Sequence, residues 1–522
     1  MRKKLLTTCL VLASCLSMYA GDLVTNTNQN VTFLRNPARD ASTEIDAAYT
    51  NPAGLAFLKK DGFFISLNNQ SAFQTRTITA DFAPFAGFGG DATKAFEGKA
   101  TAPFVPNLQA AYKTGKWVFS ANIGVVGGGG TLDFSEGLPS FESQVAMLPL
   151  MLSSNGIPTN QYSLDSRLKG TQIIYGVQLG ATYKINDNFS AYLGARASFM
   201  NSSYEGYIHN IQANIGGGNL TNVNQFFTAA AQQAQGAASS LQPVIDNLNN
   251  NNLGNLNFNQ LVAMGLIPQA QVDQISGGLG MDAGNMTAAQ AQGAFTQKAA
   301  LASGVAAQTT DKDLNCKQNG SGVAPIIGFD YNWNGLNIGV KYEFKTAMTL
   351  KNKTATNTTG LADYDDGAKI PNDIPAMLSI GAKYDIIEPL TVSVGYHHFF
   401  DSNAKMADDK QQYISGGVNE YLAGLEYRIN KMFLVSCGTQ ITRPGLKDAY
   451  YSDISFDVNS VSFGCGGAID ITKNIRVNLA YLITKYSDRI ISLSNYNGTS
   501  VPGKNTYART NHDFGIGVDF MF

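Results

Sequence analysis

A strict two-residue periodicity governs most of this chain. From Gly62 to Phe522 one unit recurs: about ten residues of alternating character, a turn, and about ten more. The C-terminal run is the clearest. Phe514, Ile516, Val518, Phe520 and Phe522 share one face, and Asp513, Gly515, Gly517 and Asp519 the other. Successive side chains of a strand point to opposite faces, so this strand is apolar on one side and carries carboxylates on the other. A soluble sandwich would hide the apolar face against a second sheet. A closed barrel with lipid outside and water inside satisfies both faces with one sheet.

The pattern returns along the chain. Leu336, Ile338, Val340, Tyr342 and Phe344 alternate with Asn337, Gly339, Lys341, Glu343 and Lys345. Leu378, Ile380, Ala382 and Tyr384 oppose Ser379, Gly381 and Lys383; Tyr421, Ala423, Leu425 and Tyr427 oppose Gly424, Glu426 and Arg428. Ile475, Val477, Leu479, Tyr481 and Ile483 alternate with Arg476, Asn478, Ala480 and Thr484. Similar segments near 62–69, 107–114, 116–126, 171–184, 188–200, 323–332, 389–400, 431–441 and 456–470 bring the tally to about fourteen, an even number as single-chain barrels require. Connection length is an independent test. Thr114-Gly115, Asn186-Asp187, Asn332 to Gly335, Ile386 to Pro389, Ile429 to Lys431 and Thr472-Lys473 are tight, and the connections between them are long. Outer-membrane barrels show this parity. The expected fold is all-β: an antiparallel transmembrane β-barrel of about fourteen strands spanning 62–522.

Composition agrees. Charged residues make up only 15% of the chain, against roughly 25% in soluble domains. No apolar run reaches the about 18 residues of a membrane helix. The formal charge of −2 leaves no basic footprint for nucleic acid.

The first twenty residues stand apart. Arg2, Lys3 and Lys4 precede an apolar run from Leu5 to Ala13, and Met18-Tyr19-Ala20 ends in a small residue. This is a secretory signal peptide over 1–20, so the protein leaves the cytoplasm. Leu12-Ala13-Ser14-Cys15 also fits the pattern that leaves a lipidated Cys15; cleavage near Ala20 is the favoured reading. Cys316, Cys437 and Cys465 remain, too few for a disulfide framework. Cys437 and Cys465 fall on the lipid side of neighbouring strands and read as packing residues.

Residues 21–61 lack alternation. They contain Asp40-Ala41-Ser42-Thr43 and, just before the first strand, Asn51-Pro52-Ala53-Gly54-Leu55. The longest connection, 201–322, is rich in Asn, Gln, Ala and Gly, with helix-compatible stretches near 221–248, 258–275 and 286–308. It is either a solvated loop or a partly helical cap in which Phe226, Phe227, Leu241, Val244 and Ile245 face a hydrophobic ligand. The Asn-Pro-Ala segment, the fourteen strands and the terminal Phe522 together resemble the FadL/TodX family of outer-membrane transporters, over essentially the whole mature chain. The terminal aromatics also resemble the signal read by the barrel assembly machinery.

The resemblance implies an outer membrane of a Gram-negative bacterium, among its lipid and lipopolysaccharide, and a monomer. It implies that 21–61 folds into a hatch plugging the lumen, with Asn51, Pro52, Ala53 and Gly54 as its motif. A long-chain fatty acid or aromatic hydrocarbon would be captured among the external loops, pass to a lumen site, and leave sideways through a kinked third strand. Here that strand runs from Trp117 to Val126 into Gly127, Gly128, Gly129 and Gly130; glycine permits a bend and leaves no side chain to fill the wall.

Physical logic favours such a cargo, because burial returns about 0.8 kcal/mol per methylene. An inward cation would hold a carboxylate by a charge-assisted hydrogen bond. By alternation Arg196, Lys341, Lys383, Arg428 and Arg476 face inward, and so do Glu343 and Glu426, which offer pairing within the wall. Arg196 has no acid on its own strand face and is the expected carboxylate anchor.

Enzyme motifs fail. His209, His397, His398 and His512 lack zinc-ligand spacing, no Gly-x-Ser-x-Gly elbow occurs, and the four-glycine run lacks a phosphate-loop lysine. Asp363, Asp365 and Asp366 do not have the spacing of a calcium loop. No cofactor, metal or catalytic residue is expected. The competing readings are a porin for hydrophilic solutes, an outer-membrane phospholipase, and an adhesin displaying 201–322.

Overall fold

A computed structural model of the chain describes Leu23 and residues 30–522. The expected signal peptide at 1–20, with Cys15, lies outside the described residues.

Fourteen antiparallel strands close into one barrel. They are β1 (Gly62–Asp81), β2 (Thr93–Thr114), β3 (Trp117–Phe134), β4 (Tyr162–Lys184), β5 (Phe189–Ala213) and β6 (Lys312–Trp333). Next come β7 (Leu336–Glu343, resuming as Thr349–Asn357), β8 (Lys369–Pro371, resuming as Met377–Ile387), β9 (Leu390–Phe399) and β10 (Asn419–Arg428). The last are β11 (Phe433–Arg443), β12 (Ser460–Asp470), β13 (Ile475–Tyr486, resuming as Arg489–Leu493) and β14 (Gly503–Met521). Closure is direct: β14 pairs with β1 from Phe64↔Met521 to Asp81↔Lys504, and with β13 from Ile475↔Phe520. No edge strand is left.

The tight turns lie at one end, as their residues dictate. Asn334 and Gly335 take φ of 45° and 83°, the positive pair that an Asn-Gly hairpin turn needs. At this end exposed aromatics ring the outer wall, among them Phe63, Tyr112, Trp117, Tyr183, Trp333, Tyr384, Tyr427 and Phe522. Such a girdle marks a membrane–water interface. Among the described residues no helix is long and apolar enough to cross a membrane. The strands do that.

The wall is higher than the alternation indicates. β4 and β5 have 23 and 25 residues, whereas β9 and β10 have 10 each. About ten residues suffice to cross the bilayer, so the first six strands continue beyond it. Their outer halves lose clean alternation because both faces there meet water or loop, not lipid. The expected 201–322 loop is accordingly shorter: only 214–311 leaves the wall.

That excursion is a helical module. Its helices are Val223–Ser240, Gln242–Asn250, Phe258–Ala263, Gln269–Leu279 and Ala288–Gln308. Capping boxes at Asn257/Gln260 and Thr287/Gln290 start two of them. Leu241, Leu248, Phe258, Leu261, Val272 and Phe295 form the module's own core, with Val244 and Ile245 packed against it. The expectation that Leu241, Val244 and Ile245 face a ligand is therefore overturned: they hold the module together. Phe227 alone of the five is buried toward the barrel mouth, and Phe226 is exposed.

Candidate functional site

Residues 30–61 fill the lumen. Helices Val31–Arg35 and Ala47–Thr50 and a 3-10 turn at Pro52–Phe57 are too short to persist alone, and the wall holds them. Arg35, fully buried, donates to Glu426 at 2.8 Å and Ser436 at 2.6 Å. Asn337 donates to the Ala41 carbonyl at 3.0 Å, Gln178 to that of Ala48 at 3.0 Å, and Lys383 to Thr43 at 2.7 Å. Arg476 pairs with Glu44 at 2.8 Å. Within the segment Arg39 clamps Asp46 at 2.6 Å.

The Asn-Pro-Ala-Gly motif is a docking turn. Asn51 donates to the Phe329 carbonyl at 3.1 Å and to Asp330 at 3.4 Å. The carbonyls of Pro52 and Ala53 accept hydrogen bonds from Thr182 and Ser190, both at 2.7 Å. Gly54 is required by crowding, since a Cβ there would lie 2.1 Å from the Ser42 carbonyl oxygen.

Against this plug lies an apolar lumen cluster that joins the plug's own Tyr49 to Val126, Ile174, Met200, Met348, Leu350 and Ile370. Its floor is charged. Arg196 donates to Glu343 at 2.5 Å and to Gln178 at 2.7 Å, and its guanidinium carbon lies 4.8 Å from the Tyr49 ring centre. Lys341 donates to the Tyr49 carbonyl at 3.2 Å and lies 3.8 Å from Glu343. Beside Tyr49 a small cavity opens between plug and wall, lined by Asp40, Lys341, Ser379, His397 and Glu420. His397 sits between two carboxylates, Asp40 and Glu420, each at 2.8 Å.

Higher up, the loops close the mouth with a second apolar cluster. Helices Pro139–Ala146 and Leu148–Ser154 bring in Phe141, Val145, Leu148 and Leu152, against Phe82, Phe96, Phe134, Tyr204, Phe227, Phe456 and Tyr496. Phe82 and Tyr496 stack at 4.6 Å.

The wall beside the lumen cluster is incomplete. β2 and β3 pair at Thr101↔Thr131 and again at Asn107↔Gly124, with no pairs between. On β2 the unpaired stretch contains Pro103 and Pro106, which cannot donate to a ladder. On β3 it holds Gly127–Gly130, where two bulges against β4 bend the strand and Gly128 and Gly130 take φ of 94° and 76°. Val126 joins the gap to the lumen cluster.

Every expected lumen cation faces inward, and each is already committed. Arg196 is bound to Glu343, Lys341 to Tyr49 and Glu343, Lys383 to Thr43, Arg428 to Asp470 at 2.8 Å, and Arg476 to Glu44 and Asp470. The expectation that Arg196 stands unpaired fails, because its acid comes from β7 across the intervening β6. Tyr49 and the Asp40–His397–Glu420 bridge were not anticipated. Tyr49 lies two residues before the Asn-Pro-Ala motif, the one signal that could have found it. Cys437 and Cys465 are directly opposite in the β11–β12 register and unbonded. Among the described residues no group of His, Cys, Asp or Glu could hold a metal.

A closed fourteen-stranded barrel with its own N-terminal segment folded into the lumen defines a class of plugged membrane barrels. No family model matches the sequence, and no curated protein matches it. In fold, the chain is similar to a crystallised FadL homologue from Pseudomonas aeruginosa, with a TM-score of 0.56 at 12% identity over 96% of this chain and 99% of that one. The Pseudomonas putida toluene transporter TodX gives 0.47 at 14% identity over 92% and 94%, and the Ralstonia pickettii toluene transporter TbuX 0.46 at 14% over 95% and 100%. The likeness to the FadL homologue thus holds at the level of fold.

Proposed function

We propose that the protein is an outer-membrane channel for passive uptake of hydrophobic compounds in a Gram-negative bacterium. The observation that carries this is the plug. A porin needs a continuous aqueous lumen, whereas here residues 30–61 occupy it, and apolar clusters line the path from the mouth to the plug. Cargo would leave the external medium at the mouth cluster and settle in the cluster around Tyr49, Val126 and Met200, displacing water from apolar surface at both steps. It would then leave sideways between β2 and β3, where the ladder is interrupted, and enter the bilayer without passing the plug. Asn51–Gly54 would keep the plug docked throughout. The reading requires no catalytic group or cofactor.

Planar-bilayer recordings test it. The full chain should conduct ions poorly, and a variant lacking 21–61 should open large, stable channels. Equal conductance of the two, at porin level, would favour the hydrophilic-solute channel.

A further inference from the structure

We infer that the outer wall at β6–β8 carries a site for the phosphate groups of a phosphorylated glycolipid of the outer leaflet, built from Lys317, Lys351, Lys353 and Lys369. This rests on the outer-membrane reading above, which surrounds the protein with such lipids but gives them no place to bind. Strand register collects the four lysines. Lys317 of β6 lies directly opposite Lys353 of β7, and Lys351 of β7 directly opposite Lys369 of β8. Their chain neighbours Gln318, Leu350, Asn352 and Ile370 are buried on the lumen side, so all four lysines are exposed on the outer face.

Like charges directly opposite each other destabilise a sheet, and here the protein supplies no relief. Among the described residues none of the four makes a salt bridge. Acids close in register are engaged elsewhere. Asp366 accepts from the Thr354 amide at 3.0 Å, Asp365 from Asn357 at 2.8 Å, and Glu205 lies opposite Lys169. The raised wall on β2 to β5 is arranged quite differently. There Lys99, Asp133, Lys169 and Glu205 stand opposite one another in turn, one per strand, in a row that neutralises itself. The height of the lysines suits a lipid headgroup. Lys317 stands four residues, about 13 Å of strand, beyond Ser321, which lies opposite the exposed Phe199. Beyond Phe199 the outward residues of β5 turn polar, as Asn201 and Ser203, so the apolar band ends below the cluster. Ammonium groups at that level meet phosphates, which they hold by charge-assisted hydrogen bonds. A bound phosphate would also cancel the repulsion between the facing lysines.

The test titrates the full-length protein in detergent with bisphosphorylated lipid A, read by native mass spectrometry. The wild type should bind it at least about tenfold more tightly than the same lipid A stripped of its phosphates, or than phosphatidylglycerol. Replacing all four lysines with glutamine should abolish that preference, and replacing them with arginine should keep it. Heat-modifiable migration on gels checks that both variants fold, and the comparison of lipids on the wild type stands without them. Equal binding of lipid A by the wild type and the glutamine variant, or of lipid A with and without its phosphates, would overturn the inference. Phosphatidylglycerol binding as tightly as lipid A would overturn the assignment to a glycolipid. No cargo enters these measurements, so their failure leaves the uptake reading standing. Fractionation of the wild type with a membrane other than the outer one would overturn that reading, and the inference with it.

Discussion

Arg196 and Glu343 lie on β5 and β7 with β6 between them, and both are almost fully buried. Removing one partner of such a pair leaves an uncompensated charge, at a cost of about 3–5 kcal/mol. Glu343→Ala, which strands both Arg196 and Lys341, should lower barrel stability by about that amount, and Arg196→Ala, which leaves Lys341 3.8 Å from Glu343, by clearly less; urea unfolding in lipid vesicles measures both. Glu44 gives a pH signature. Partial burial in the plug opposes its ionisation, but the Arg476 and Arg39 guanidiniums hold its carboxyl well below the usual carboxylate range. A depressed carboxylate contributes stability that is complete above the unfolded glutamate value, about 4.3, and is lost as pH falls through the lower folded value. Conductance of the full chain should therefore stay low down to about pH 4 and rise below it. In Glu44→Gln that step should disappear. Alternation placed these side chains on the inner face correctly. It did not reveal their partners, because a partner two strands away, or on the plug, leaves no periodic trace.

Between β2 and β3 the interruption has two sequence causes, and only one was legible. The four glycines mark a bend, while Pro103 and Pro106 carry no strand signal because the outer half of β2 does not alternate cleanly. Filling the glycines is a poor probe of this gap. A Cβ on Gly128 would meet the Gln172 carbonyl oxygen at 2.2 Å, in a backbone conformation that side chains rarely adopt. Pro103→Thr with Pro106→Thr restores two amide donors instead. This variant should assemble normally, gain hydrogen-exchange protection across 102–106, and lose most hydrophobic uptake. Unchanged uptake with a protected strand would place the exit elsewhere. The helical module makes a different prediction. Its core is its own, and the strands it joins are already paired at Ile208↔Lys312. Replacing 214–311 with a short Gly-Ser turn should leave a heat-modifiable, folded barrel. Its helices were legible from composition, but their mutual packing was not, since apolar residues read equally as core or as ligand contacts.

Across the whole molecule, the parts most clearly written in the sequence are those the membrane imposes. Lipid on one side and a wet lumen on the other force the alternation, and the two unlike ends of the barrel force the short–long parity; strand number and closure followed from these. The plug had only the absence of alternation and one Asn-Pro-Ala-Gly turn to mark it. Its shape comes from contacts all round the barrel, from Val31 on Asn68 of β1 to Arg476 of β13 on Glu44, that no local pattern encodes. The account's central claim is that a barrel closed to water is open to apolar compounds. Uptake by living cells tests this most directly, with a radiolabelled hydrocarbon and a small labelled sugar supplied to cells with and without the protein. Expression should speed saturable entry of the hydrocarbon and leave the sugar unchanged. Faster entry of the sugar, with no effect on the hydrocarbon, would contradict the account.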